Sequence, residues 1–518
     1  MEITAQTYRK ILSLTLPLPS LTPQLRFSFT FSIVLLIGLA VATLPLRIAV
    51  LLISSTIFLF WGLIRPEITL YLLVLIIPFS SLFAVTIAGV KIGGMELVLG
   101  FGLTGWFLRL VANSSTTGSI VINRGPLLWA FGMFLAGVSL SWLVTLSLVA
   151  SLVETAKWIE MAVVYLFVIN CLSWRRLPWV VGAIILAGLA QAIFGLYQFI
   201  FKVGPDGFLL FEGNFLRAYG TFAQPNPYGG YLGLVLPLTL SLTVWVLGSL
   251  FGLPLTMPTL GNWLKRFLKL GILCVPLGLM IAALYASQSR GAWLGFTFAS
   301  LTTLVISSRR ATYVVAATGF VGTMIILISS FSVTFSSTGS TGGDMPYNTV
   351  VQRVTDVIQV ANITEIANTP VTDANFATLE RLAHWQAAVE MWRDHPWLGV
   401  GFGNYAAAYP AYAIGRWEDP LGHAHNYMLN IGAEAGLVGI TAYLIFWFSV
   451  FGLLWYILQR TGGFEKAVVS GIVGVVIHLH VHNLVDNLYV QGMYLHLAVF
   501  LGLASVVYQR SKTKTLGS

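Results

Sequence analysis

The feature that most constrains this chain is the recurrence of apolar stretches of about 17–25 residues, each long enough to cross a bilayer as a helix. They leave little sequence for anything else. Of 518 residues, 57% are apolar and 9% are charged, whereas a soluble domain carries about 25% charged residues. Strands of a transmembrane barrel would be nearer to about ten residues long and would alternate. The expected fold class is therefore all-α: a polytopic transmembrane helical bundle of about 12–14 spans, with one long outward-facing loop that contains an amphipathic helix.

Hydropathy places spans at 27–44, 46–64, 67–88, 93–112, 125–149, 154–172, 178–201, 225–250, 268–287, 290–307, 311–332, 429–457, 467–484 and 488–509. The implied organisation is an N-terminal segment 1–26, a transmembrane region 27–332, a large loop 333–424, C-terminal transmembrane helices 425–509 and a tail 510–518. Segment 1–26 lacks the compact apolar stretch and small-residue cleavage site of a secretory signal.

Positive charge then orients the bundle. Arg9, Lys10, Arg26, Arg65, Arg109, Arg124, Arg175, Arg176, Lys265, Arg266, Lys269, Arg309, Arg310, Arg460, Lys466, Arg510, Lys512 and Lys514 all fall on one side of the alternation. They are most of the 28 basic residues, and the positive-inside rule makes that side cytoplasmic. Both termini are then cytoplasmic, and loop 333–424, loop 202–224 and the turn around Ser289 face outward. The formal net charge of +9 reflects span ends and surface anchoring, so no nucleic-acid partner is expected and the lipid bilayer is. Cys171 and Cys274 both lie in apolar spans, without disulfide framework or metal spacing.

Three outward features carry possible chemistry: Arg217 in Asn214–Phe222, Arg290 in the Ser-Arg-Gly-Ala-Trp-Leu-Gly run 289–295, and His425. An arginine at a membrane boundary most often snorkels or anchors a helix. These two, however, sit on the side that the charge rule disfavours and beside glycines. Guanidinium groups bind phosphate oxygens bidentately and stay charged, so a pair could hold a pyrophosphate and stabilise its departure. A lone boundary histidine is usually a satisfied hydrogen-bonding residue. Near its reference pKa of about 6.5 it can also take a proton at neutral pH. His423, two residues before His425, would point elsewhere and act in support.

Other signals are weaker. His478, His482 and Asp486 follow i, i+4, i+8 spacing, one face of a helix; with His480 and Asn483 they read as a buried polar network, with a proton path or a metal as lesser alternatives. Gly399-Val400-Gly401-Phe402-Gly403 lacks the strand-to-helix context of a dinucleotide loop and reads as a turn after His395-Pro396. Glu154 and Lys157 are spaced to pair on one helix turn. Glu418 and Asp419 stand near enough in sequence to orient His425. Ala377–Asp394 carries Leu382, Trp385, Val389 and Trp392 at helical spacing, an amphipathic helix lying on the membrane domain.

Taken together these residues resemble the O-antigen ligase and polymerase superfamily. The ligase pattern is His, then Asn, Ser or Gln, nine residues, then Gly-x-x-Gly; His425, Asn426, Tyr427–Ala435, Gly436 and Gly439 match it. The runs 289–295 and 395–405 are similar to further family landmarks, and the resemblance is strong from about residue 205 to 440. It implies a glycan transferase of the bacterial inner membrane with its active site on the periplasmic side. The donor would be a glycan on undecaprenyl pyrophosphate. The acceptor would be a glycolipid or glycan hydroxyl, such as a lipid A core sugar. By resemblance Arg217 and Arg290 would bind the pyrophosphate and His425 would be the base, with His423, Asn426 and Ser289 in support. No metal, cofactor or nucleotide sugar is implied, and inversion at the anomeric carbon is. A polymerase of the same superfamily, a transporter (some relatives carry a bicarbonate-transport label) and a non-catalytic scaffold stand as alternatives.

Overall fold

The computed structural model describes residues 60–83, 85–87, 90–117, 119–210, 215–251, 260–307 and 375–516, with a few single positions besides. The expected spans 27–44 and 311–332, nearly all of 46–64, and most of the loop before residue 375 lie outside the described residues. The chain divides into two units, Met1–Arg65 and Pro66–Ser518, and the second holds every element described below.

The helices are α1 (Pro66–Ile76), α2 (Gly94–Thr117), α3 (Leu128–Leu140), α4 (Leu148–Cys171), α5 (Leu177–Phe201), α6 (Pro225–Phe251), α7 (Leu260–Ala286), α8 (Arg290–Ser307), α9 (Phe376–Asp394), α10 (Tyr427–Leu458), α11 (Gly463–His482) and α12 (Met493–Leu516). Among the described residues, each expected span from 67 to 307 and from 429 onward overlaps one of them. By length and composition five helical stretches can cross a membrane: Gly94–Ser114, Trp174–Phe201, Pro225–Ser249, Tyr427–Leu458 and Gly463–His482. The only pairing strands among the described residues are two short antiparallel ribbons in loops, β1 (Val85–Ile87) with β2 (Val90–Ile92) and β3 (Leu209–Leu210) with β4 (Phe215–Leu216).

Local chemistry sets the helix ends. Ser147 precedes α4 and accepts a hydrogen bond from the Ala150 N–H. At α5 a proline occupies the first turn, where its missing N–H costs nothing, and Lys202 closes the helix at φ 53°. Asn426 is the N-cap of α10, its side-chain oxygen accepting from the Met428 and Leu429 N–H groups at 3.0 and 3.1 Å. That gives the second position of the His-Asn motif a physical reason: an amide or hydroxyl oxygen satisfies the orphan donors of a first helical turn.

α11 packs chiefly between α6 and α8. The approach is close because glycines line it. The buried His478 ring fills the space that side chains at Gly233 and Gly295 would need, the small-residue packing common in membrane bundles. Below the start of α10 lies an aromatic core: Phe134, Trp158, Tyr427, Tyr443, Phe446 and Tyr489 are buried and in mutual ring contact.

α10 breaks at Gly436, whose φ of 61° and ψ of −157° are not helical. A break exposes carbonyls and N–H groups that need partners. Segment 396–401 supplies them. The Val400 and Gly401 N–H groups donate to the Ala433 and Glu434 carbonyls, each at 2.9 Å, while Leu437 and Val438 donate to the Pro396 and Trp397 carbonyls at 2.8 and 3.2 Å. A Cβ at Gly436 would lie 2.3 Å from the Trp397 carbonyl carbon. The first motif glycine is thus required twice, by its positive φ and by the backbone pressed against it. The Gly399–Gly403 run is a turn, as expected, and this docking is its task.

Two expectations need correction. α9 exists, but its buried face is Leu379, Ala383, His384, Ala387, Ala388 and Met391. Val389 is 46% exposed, and Leu382, Trp385 and Trp392 are half-buried. Alanines let α9 lie close to α10, so the helix settles on its small residues instead of its large ones. α11 ends at His482, so Asp486 lies in the turn that follows and not on a continued helical face.

Candidate functional site

His425 sits between a loop and a membrane helix, with φ 52°. Left-handed backbone is uncommon outside glycine, and such strain persists only where surroundings enforce it. They do so here from several sides. The His425 N–H donates to His423 Nδ1 at 3.1 Å. The Trp385 indole N–H donates to the His425 carbonyl at 3.3 Å. Ala424 N–H donates to Asn430 Oδ1 at 3.0 Å, and Tyr427 N–H to the Asn483 carbonyl at 2.8 Å.

The imidazole itself is held differently. Both ring nitrogens are buried and neither has a hydrogen-bond partner. Nδ1 lies 3.6 Å from Asp486 Oδ1, just beyond hydrogen-bond distance. The His423 ring stands 4.4 Å away and the His384 ring 5.6 Å away, both edge-on. Asp486 also approaches His482, Oδ2 to Nε2 at 4.0 Å, and its Oδ1 accepts from the Asn487 N–H at 2.9 Å. Burial alone would raise the Asp486 carboxyl; the facing His425, His482 and His423 rings overcome that and hold it below the usual carboxylate range. Burial pushes His423 and His384 down to about 4, with the neighbouring His425 adding to the effect. Both are therefore neutral at working pH, which suits the acceptor role of His423 Nδ1. Glu418 and Asp419 are exposed, and Asp419 accepts from the Leu421 N–H in its own turn. The carboxylate facing His425 is thus Asp486, from a segment that the sequence reading grouped with His478 and His482.

Arg217 is placed by its own loop. Its N–H donates to the Phe208 carbonyl and the Ala218 N–H to the Ala286 carbonyl, both at 2.9 Å. Buried Gln198 of α5 grips Gly220, accepting its N–H at 2.7 Å and donating to its carbonyl at 2.8 Å. The guanidinium donates from Nε to the Ser287 carbonyl at 3.1 Å and from Nη2 to Asn226 Oδ1 at 2.9 Å. Ser287 opens the turn that ends at Arg290, the exposed first residue of α8. A cation at a helix N-terminus opposes the helix dipole, and both attract an anion. Ser289 is buried behind Arg290, its carbonyl accepting from the Trp293 N–H at 3.0 Å. Burial, then Arg381 and then Arg290 push Arg217 down to about 10, with Asp486 the weaker opposing influence. It is still a cation at neutral pH.

The structure therefore joins Arg217 and Arg290 at one turn, and His425 to Asp486 at another. The two meet through residues 483–486. A Cβ at Gly291 would lie 2.7 Å from Val485 Cγ2, which puts the start of α8 against the residue preceding Asp486. α9 contributes Glu380, Arg381, His384 and Trp385 to the same region; sequence reasoning named Trp385 only as part of an apolar face and did not single out the other three. Their signal was the i, i+4 pairing of Arg381 with Trp385 and of Glu380 with His384 on a helix already expected. Glu154 and Lys157 do pair, at 2.5 Å.

Among the described residues, His423, His425 and Asp486 also form a group whose ligand atoms lie within 4.8 Å of one another, a spacing that could hold a cation. His423 Nδ1 is already occupied by the His425 N–H, so its contribution would fall to Nε2.

No match was found among the curated proteins. A family model described as O-Antigen ligase matches residues 275–444, a segment that includes Arg290, His425 and both motif glycines and stops short of Arg217. Over this segment the chain carries the O-antigen ligase domain, a match that supports the O-antigen ligase superfamily.

Proposed function

We propose that the chain is a polyprenyl-diphosphate-glycan-dependent glycosyltransferase of the O-antigen ligase type. In this reading it moves a glycan from undecaprenyl pyrophosphate to an acceptor hydroxyl, that of a lipid A core sugar, at the periplasmic face of the bacterial inner membrane. Both termini are cytoplasmic. The observation that carries the reading is the His425 imidazole: both nitrogens buried and without partner, in a strained turn, facing a carboxylate at 3.6 Å.

Asp486 opposite Nδ1 favours the Nδ1–H tautomer, which leaves Nε2 as the basic atom. Hydrogen bonds of this kind are often long without substrate and tighten on binding. Nε2 takes the acceptor hydroxyl proton as the oxygen forms its bond to the anomeric carbon. The bond from that carbon to the diphosphate oxygen breaks, and undecaprenyl pyrophosphate leaves with the electron pair. Arg217 and Arg290 hold the leaving group by charge-assisted hydrogen bonds. Attack from the face opposite the diphosphate inverts the anomeric centre. No step calls for a metal.

The test is transfer from lipid-linked donor to acceptor by purified protein. We expect His425→Ala to lower the rate by about 100- to 10,000-fold, the usual worth of a general base, with folding intact. A folded variant of near-normal rate would remove His425 from the role of base. Exhaustive chelation should leave the wild-type rate unchanged; loss of activity restored by a divalent cation would favour the His423, His425, Asp486 group as a metal site. In cells, loss of a ligase leaves long glycans on the carrier lipid, whereas loss of a polymerase leaves single repeat units.

A further inference from the structure

Arg381 has no part in the mechanism above, yet it is tied to both halves of the site. It lies on α9, the helix of the long loop. Nε donates to the Val485 carbonyl at 3.1 Å, and Nη1 to the Ala377 carbonyl of its own helix at 2.8 Å. Val485 precedes Asp486 and packs on Gly291, the residue after Arg290. One turn further along α9, Trp385 holds the His425 carbonyl. The guanidinium is half-buried, is hydrogen-bonded only to neutral carbonyls, and makes no hydrogen bond through Nη2.

Arg381 is hydrogen-bonded only to neutral acceptors, Glu380 acting on it through charge alone, and Arg217 beside it adds a second half-buried cation to a region that an anion would relieve. The charge of Arg381 weighs on Arg217 more than that of Arg290 does. We propose that Arg381 is a third guanidinium for the donor diphosphate, delivered by the loop helix to the anion site that Arg217 and Arg290 form. A diphosphate diester carries one negative charge on each phosphoryl group, and its several oxygens can accept from more donors than one arginine pair presents. The inference rests on the proposed function for the identity of the anion, and it adds that the loop helix touches the donor directly.

The experiment is equilibrium binding of inorganic diphosphate, without added metal, to the full-length protein in lipid nanodiscs, for the wild type, Arg381→Gln, Arg381→Lys and His425→Ala. Loss of a charge-assisted contact should weaken binding by about 10- to 100-fold in Arg381→Gln. Arg381→Lys should recover part of that loss, and His425→Ala should bind as the wild type does. In transfer assays Arg381→Gln should raise the donor KM and leave the acceptor KM unchanged. Undiminished diphosphate affinity in folded Arg381→Gln overturns the inference, as does a wild type that does not bind diphosphate. Arg381-dependent binding by a wild type that transfers no glycan would uphold the inference and remove the proposed function instead.

Discussion

The two ends of this bundle use arginine in opposite ways. At the end where α1 begins, Glu67 is buried between Arg109, at 3.4 Å, and Arg176. Nearby Arg510 pairs with Glu465 at 2.5 Å and lies 3.4 Å over the Trp174 ring. At the end where α10 begins, Arg217 and Arg381 donate to main-chain carbonyls and an asparagine amide. A carboxylate partner neutralises an arginine and makes it architecture. A neutral acceptor orients the guanidinium and leaves its charge available. The contrast locates binding chemistry better than a count of charges does, since the Glu67 end is the richer in basic residues.

The largest expected effect separates the two uses directly. Arg290→Gln should lower transfer by about 100- to 1,000-fold through lost stabilisation of the leaving group, in protein that still folds. Arg176→Gln should do the reverse. It leaves the Glu67 carboxylate short of a partner, costs about 1–3 kcal/mol of stability, and keeps the rate per folded molecule. Exchange of these two outcomes would break the comparison.

A smaller effect is expected at Asp486. Asp486→Asn should lower the rate by about 10- to 100-fold, less than the loss of the base itself. It should also remove a pH-dependent contribution to stability. The carboxyl is held below its ordinary range in the fold, so its contribution is complete above that range and is lost as pH falls through the depressed value. The stability gap between wild type and variant should close on acidification; a gap that widens would contradict a carboxyl held below its ordinary range in the fold.

The smallest effect concerns the loop. His384 and His423 are neutral in the fold down to about 4 and have ordinary values of 6.5. The unfolded chain binds their protons first, so stability should decline as pH falls from 6.5 towards 4. Unfolding midpoints of His384→Gln across that window should show a shallower decline than those of the wild type, and parallel curves would remove His384 from the account.

Much of this was legible before any coordinates. Hydropathy located the described helices because a bilayer imposes one length and one composition on every span. The motif picked His425 over His423, and the structure supplies what its letters do: Asn426 caps, Gly436 breaks, and Gly439 leaves room for Ala435. The partner of His425 was not legible. Asp486 is distant in sequence, and a turn, which has no periodicity, delivers it. The face of α9 was misjudged for a related reason. Large apolar residues mark a stripe in sequence, but close packing against α10 rewards alanine. Arg381 was invisible because a cation on a loop helix reads as solvated until its neighbours are known.

The break at Gly436 has an engineering consequence. Residues 427–435 form a short helical cartridge, clamped at one end by Asn426 and at the other by the main chain of 396–401. The histidine at its tip is indexed to the loop as firmly as to the membrane. An exchange of the outer loop between relatives, to redirect the choice of acceptor, would therefore have to carry 396–401 along with its matching Gly436, or the imported loop would detune the base while leaving every side chain of the site in place.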